Sequence, residues 1–186
     1  METNPVFEHF LDRSLAHVIR FNSRPQHFPE SVAEHSFYVA YFSSLLISFL
    51  KEAGEEIDEV RALKMALIHD MEESFSGDIL TPFKHFNEEI VQAIDKVNQQ
   101  SIHLVFENLP PTLRADYIAL WTENGEHQTK EAQIVKTADK ISLLAKCREE
   151  VRAGNDYFRR IYDRDLEKLR ELEYPWWGKI RTEILG

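Results

Sequence analysis

One cysteine, Cys147, is the chain's whole thiol inventory. It excludes an intramolecular disulfide and a cysteine-built zinc site, and it fits a reducing cytoplasm. Glycine and proline are scarce, six and seven among 186 residues. Few such punctuators, with abundant Leu, Ala, Glu and Lys, favour long helices. Positive charge is also short: 22 Lys and Arg stand against 32 Asp and Glu, a formal net charge of −10. So acidic a surface suits no nucleic-acid polymer, whose affinity comes from clustered cations. A membrane-spanning run is missing. The nearest, Phe37 to Leu50, is too short and is interrupted by Ser43, Ser44 and Ser48. Met1 to Phe10 lacks the apolar centre of a secretion signal. Neither a G-x-x-x-x-G-K-S/T phosphate loop nor a G-x-S-x-G elbow occurs.

What is present is helical periodicity. With 43% hydrophobic residues, the chain can build one domain around a sizeable core. The pattern predicts a first helix from about Pro5 to about Ile19, with Phe7, Phe10, Leu11, Leu15 and Val18 on one face. A loop follows over 21–30, marked by Pro25 and Pro29. Ser31 and Glu34 form a capping box that opens an almost wholly apolar, hence central, helix over about 32–52. Further helices are predicted from Asp58 to His69-Asp70, from Asn87 to Phe106, from Pro110-Pro111 to about Trp121, and from about Lys130 to Arg152. Met71 to Pro82 reads as a turn or loop. The tail from Asp156 to Leu185 reads as helical, broken at Pro175 and peripheral. No segment alternates with period two, so the fold class is all-α, a compact helical bundle.

The chemistry-bearing residues are His35, the adjacent His69-Asp70 pair, and Asp139, each inside or beside an apolar run. Taken singly, a His or Asp on a helix is more often hydrogen-bonded or exposed than a ligand. Buried together they need partners, and a shared divalent cation satisfies all four. Two imidazoles and two carboxylates suit Mn, Fe, Co, Ni or Zn, with positions left open for water and phosphate.

The order His…His-Asp…Asp on successive helices resembles the HD-domain phosphohydrolases. Longer matches resemble the bacterial 5′-deoxynucleotidase (YfbR-like) branch: Arg20, then Glu34-His35-Ser36, His69-Asp70-Met71-Glu72-Glu73, Gly77-Asp78 and Thr81-Pro82-Phe83-Lys84-His85-Phe86. Downstream come Lys136-Thr137-Ala138-Asp139-Lys140, Lys146-Cys147 and Ala153-Gly154-Asn155. The resemblance implies an HD bundle with the metal site in its core and with His35, His69, Asp70 and Asp139 as ligands. Glu73 would handle protons at the attacking water, Asp78 would lie beside the sugar, and Arg20 would contact phosphate. Phe21 stands where that family carries tryptophan, which bears on substrate preference. The resemblance also implies a homodimer.

Local readings stay beside these roles. Glu72-Glu73 reads also as a solvated helix end, and Lys84 equally as a substrate-binding cation or a solvated lysine. Arg20 reads also as a helix C-terminal cap, and Asp78 as an Asx turn. His9, His17, His27, His85, His103 and His127 read as structural, and Cys147 as a buried inert thiol. The expected activity is hydrolysis of a deoxyribonucleoside 5′-monophosphate, a small-molecule substrate. The alternatives are a deoxynucleoside triphosphate phosphohydrolase, with Lys84 and Arg24 on the extra phosphates, hydrolysis of a guanosine alarmone, and an inactive nucleotide sensor.

Overall fold

The computed structural model describes residues 3–186, and among these the regular structure is helical. The elements are α1 (Pro5–Leu11), α2 (Val32–Glu52), α3 (Glu59–Ile68), α4 (Glu73–Ser76), α5 (Thr81–Lys84), α6 (Glu88–Val105), α7 (Pro111–Glu126), α8 (Lys130–Arg152), α9 (Tyr157–Arg170) and α10 (Trp177–Leu185). None is long and apolar enough to cross a membrane.

Local sequence chemistry sets most boundaries. At α2 the Ser31 hydroxyl accepts from Glu34 N, and the Glu34 carboxylate accepts from Ser31 N at 2.7 Å, so two otherwise orphaned amides are satisfied. The side chains of Asp58, Asn87 and Thr129 cap α3, α6 and α8 by accepting from Arg61 N, Ile90 N and Ala132 N. Gly54 and Gly154 follow α2 and α8 with φ of 83° and 92°, a left-handed step that glycine takes without strain.

Three expectations are corrected. The first helix stops at Leu11, because Asp12 accepts from Ser14 N at 2.8 Å and turns the chain into a short 3-10 segment, Ser14–Ala16. No residue of α1 is buried, and Phe7, Phe10 and Leu11 are exposed. Met71–Pro82 is not wholly loop, since it holds α4 and the start of α5. The tail is not peripheral: Leu169, Trp176, Trp177 and Ile180 lie in the core with Leu46, Met65, Ile102 and Val135. The indole N–H of Trp177 donates to Leu169 O and that of Trp176 to Gln133 Oε1, both at 3.0 Å. Satisfied donors let both rings bury their large apolar faces.

α2 packs chiefly on α8 and α3, and α8 also carries α9. The 21–30 loop closes through an isolated antiparallel bridge, Ile19 to Ser31, and docks on α8 through Glu150. That carboxylate is fully buried. It accepts from His27 N and Phe28 N, from Lys146 Nζ at 2.8 Å, and from Asn155 Nδ2 at 2.9 Å. Burial opposes its charge, yet these donors pull it down to about 2. Lys146 also donates to Phe28 O. The lone thiol, Cys147, is buried three residues before Glu150, and burial, then Asp165, push it up to about 12.

Candidate active site

Three elements bring the four predicted donors together. His35 sits one turn into α2, fully buried. His69 and Asp70 follow the end of α3, and Asp139 projects from the middle of α8. Atoms of His35, His69 and Asp70 all lie within 4.8 Å of one another. His69 Nε2 is 3.0 Å from Asp70 Oδ2 and 3.3 Å from His35 Nε2. Asp139 Oδ1 closes the group 3.3 Å from His35 Nε2, while its Oδ2 is held by Lys136 Nζ at 2.9 Å.

The donor chemistry fits a divalent cation. His69 Nδ1 meets the Ala66 carbonyl at 2.9 Å, a contact only an N–H can make favourably. Its Nε2 is therefore the free nitrogen of the neutral ring. His35 Nδ1 meets Ser142 Oγ at 3.0 Å, so its Nε2 also faces the carboxylates. Outward Nδ1 bonds that fix inward Nε2 atoms are the usual support of metal-binding imidazoles. Burial works against charge on His69, but Asp70, then Asp139, raise it to about 9. The same surroundings leave His35 lowered, by burial and by Arg20. The cluster thus favours positive charge between its carboxylates.

The remaining predicted residues divide between two sides. Arg20 is near the cluster: burial opposes its charge, and Glu30, Asp139, Asp70 and Glu73 outweigh it. It pairs with Glu30 at 2.8 Å and does not end a helix, so the capping reading is withdrawn. Phe21 has φ 54° and is held there by its N–H, which donates to Asp78 Oδ2 at 2.7 Å. The Phe21 ring packs edge-on against Phe158 at 5.2 Å, and Arg24 lies over the Tyr157 ring at 5.2 Å. Asp78 therefore commits one oxygen to the backbone.

Glu72 and Glu73 are not a solvated helix end. Glu72 is buried and accepts from Trp121 Nε1 at 2.7 Å, and burial, then Asp70, push it up to about 7. Glu73 is pushed up to about 9 by burial, then by Asp70, Asp78 and Glu72, and its Oε2 is buried without a hydrogen-bond partner.

Beside the cluster, a cavity of about 670 Å³ opens between α6, α7 and α8. His69, Asp70, Lys84, Lys136 and Asp139 are among the residues lining it, whereas Arg20, Phe21, Glu73 and Asp78 are not. Lys84 is thus half-buried on a cavity wall rather than a free surface lysine. Sequence reasoning missed Ser142, which stands three residues past Asp139 and so shares its helix face. It also set aside His103 and His127, which line the cavity.

The chain is similar in sequence and fold to known proteins. The YfbR-like 5′-deoxynucleotidase family matches residues 7–184. A 5′-deoxynucleotidase of Vibrio parahaemolyticus is 34% identical over 148 residues, 79% of this chain and 76% of that one. The 5′-deoxynucleotidase YfbR of Salmonella typhi is 37% identical over 147 residues, 77% and 71% of the two chains. The crystal structure of an HD-domain phosphohydrolase from Listeria innocua superposes with a TM-score of 0.80 at 28% identity, covering 97% of this chain and 87% of that one.

Proposed function

Because the chain belongs to the YfbR-like 5′-deoxynucleotidase family, we propose that it hydrolyses deoxyribonucleoside 5′-monophosphates to a deoxynucleoside and orthophosphate. The observation that carries this reading is the meeting of His35, His69, Asp70 and Asp139 beside a cavity in the size range of small-ligand sites. These four residues would hold a divalent cation, one of Mn, Co, Zn, Fe or Ni. A cation there would neutralise phosphate charge and acidify the attacking water.

The chain's own groups do the rest. Lys136 fixes Asp139 Oδ2 and so turns Oδ1 inward. Arg20, kept charged by the surrounding carboxylates, grips phosphate oxygens. Glu73, whose proton affinity is raised by burial and by Asp70, Asp78 and Glu72, gives a proton to the 5′ oxygen as the P–O bond breaks. It then takes a proton from the water that has bonded to phosphorus, which restores its starting state. Asp78 holds the Phe21 amide with one oxygen and keeps the other for the sugar, where it disfavours a ribose hydroxyl. Phe21 packs beside the substrate, and Lys84 adds a cation on the cavity wall.

Orthophosphate release should be assayed with Mn, Co, Zn and Mg against deoxy- and ribonucleoside mono-, di- and triphosphates. Turnover of deoxynucleoside monophosphates is expected. Release of triphosphate or pyrophosphate from deoxynucleoside triphosphates, with monophosphates untouched, would overturn the reading. Glu73→Gln is expected to lower kcat by about 10²–10⁴-fold. Unchanged kcat would remove Glu73 from the reaction.

The proposal includes a cytoplasmic location, in keeping with the single reduced thiol, and a homodimer. Supporting the dimer, Phe37, Tyr38, Tyr41 and Leu45 form an exposed apolar stripe along α2, of a kind that commonly marks subunit contacts. Sedimentation at micromolar concentration should give a dimer, and Tyr41→Glu a monomer. A monomeric parent would refute the pairing.

A further inference from the structure

The loop is exposed over 22–29 except at Gln26, whose side chain turns inward. Its mount is rigid. The preceding Pro25 carbonyl accepts from Asn155 Nδ2 at 2.9 Å, and the following His27 N–H donates to Glu150. Both flanks are thus pinned beside the end of α8. From there the Gln26 amide reaches back along the loop. Its Nε2 donates to Arg20 O at 2.7 Å and to Phe21 O at 3.3 Å. Turned over, the amide would set its oxygen against two carbonyl oxygens, which fixes the assignment. Its own Oε1 is buried without a partner, a cost that an apolar side chain of the same size avoids. The peptide group between Arg20 and Phe21 is consequently held at each end. Gln26 fixes its oxygen, and Asp78, past α4, fixes its N–H at 2.7 Å. A turn bond from Arg24 N to Phe21 O, 2.8 Å, adds to the constraint. Phe21 sits at φ 54°, a region that bulky residues enter only where their surroundings force them.

We infer that Gln26 is a positioning residue that sets which sugar the site admits. This rests on the nucleotidase reading, in which Arg20 grips phosphate, Phe21 packs beside the substrate and the second oxygen of Asp78 disfavours a ribose hydroxyl. Those contacts act together only while the Arg20–Phe21 peptide stays clamped between Gln26 and Asp78. Without the Gln26 donor the strained Phe21 backbone relaxes and its N–H leaves Asp78. The carboxylate then swings away from the sugar, and a ribose hydroxyl is admitted. The effect falls on discrimination more than on rate, because neither bond of the Gln26 side chain reaches Glu73 or the four cluster residues. Selectivity of this kind is a difference between two affinities, and it fades when the excluding group is no longer held.

Gln26→Met keeps the length of the side chain and removes its donors. In the metal-loaded full chain, the ratio of kcat/KM for dAMP to that for AMP should fall about tenfold or more, with kcat for dAMP within about threefold of the parent. The thermal midpoint should stay within about 2 °C, since Glu150 and Asn155 still dock the loop. An unchanged ratio overturns the inference and leaves the nucleotidase reading standing. A parallel loss for both nucleotides, which a loosened fold produces, overturns it as well. Amide exchange in the parent needs no variant. The Phe21 N–H should exchange about a hundredfold more slowly than an unstructured amide, and exchange at the free rate would overturn the clamp. If dAMP is not hydrolysed, calorimetric binding of dAMP and AMP gives the same comparison. A deoxy preference that Gln26→Met removes then keeps the clamp while the nucleotidase reading falls, and no preference removes both.

Discussion

Asp139→Ala is expected to lower kcat/KM for a deoxynucleoside monophosphate by about 10³-fold or more, equivalent to about 4 kcal/mol of transition-state stabilisation. Asp139 is the one carboxylate of the cluster that comes from α8. One of its oxygens lies against His35 and the other against Lys136. In the proposed centre, removing it takes away a ligand and leaves Lys136 without the carboxylate it pairs with. Metal affinity should fall in parallel, and elemental analysis of the purified variant reads this directly. Ser142→Ala provides the graded comparison. It leaves all four ligands and removes only the support of the His35 ring, so a loss of about 10–100-fold in metal affinity is expected. An Asp139→Ala protein that keeps its metal and its turnover would exclude Asp139 from the centre.

Glu150→Ala is expected to destabilise the fold by about 3–5 kcal/mol, the range for breaking a buried ion pair on one side. The thermal midpoint should drop by about 10 °C or more for a chain of this size. Lys146 would remain buried without its carboxylate, and His27 N, Phe28 N and Asn155 Nδ2 would lose an acceptor. The pH sign follows from the depressed carboxyl, about 2 against an ordinary 4.5. Its stabilisation is complete above about 4.5 and is lost as pH falls towards 2. Parent and variant midpoints should therefore converge on acidification. A difference that stays constant from neutral pH down to pH 3 would assign the loss to packing rather than charge.

Much of this architecture is local, and local chemistry is legible. The Ser31–Glu34 box, the Asp58 and Asn87 caps and the glycines after α2 and α8 each act within a few residues. The meeting of His35, His69, Asp70 and Asp139 could be anticipated because they fall in a recognisable order on successive helices. What escaped depends on distant partners. The Asp78 bond to Phe21 spans 57 residues, so from local sequence Asp78 read also as an Asx turn. The tail looked peripheral because nothing nearby shows that Trp176 finds Gln133. On α8, Asp139, Ser142, Lys146 and Glu150 recur at intervals of three or four, and the last three are buried. A helix with a buried polar stripe presents little contrast between faces, so periodicity reveals its existence but not its polar interior.

The distance in sequence between the docking loop and its anchor has a temporal consequence. His27 and Glu150 are 123 residues apart, and His35 waits for Ser142, 107 residues downstream. During synthesis the amino-terminal loop emerges from the ribosome with nothing to fasten it, and the first histidine with nothing to orient its ring. Both are completed only when α8 has cleared the exit tunnel. Such remote closures come late in folding. Until α8 emerges the nascent chain also lacks Asp139, so the four-residue cluster cannot assemble ahead of the fold that surrounds it.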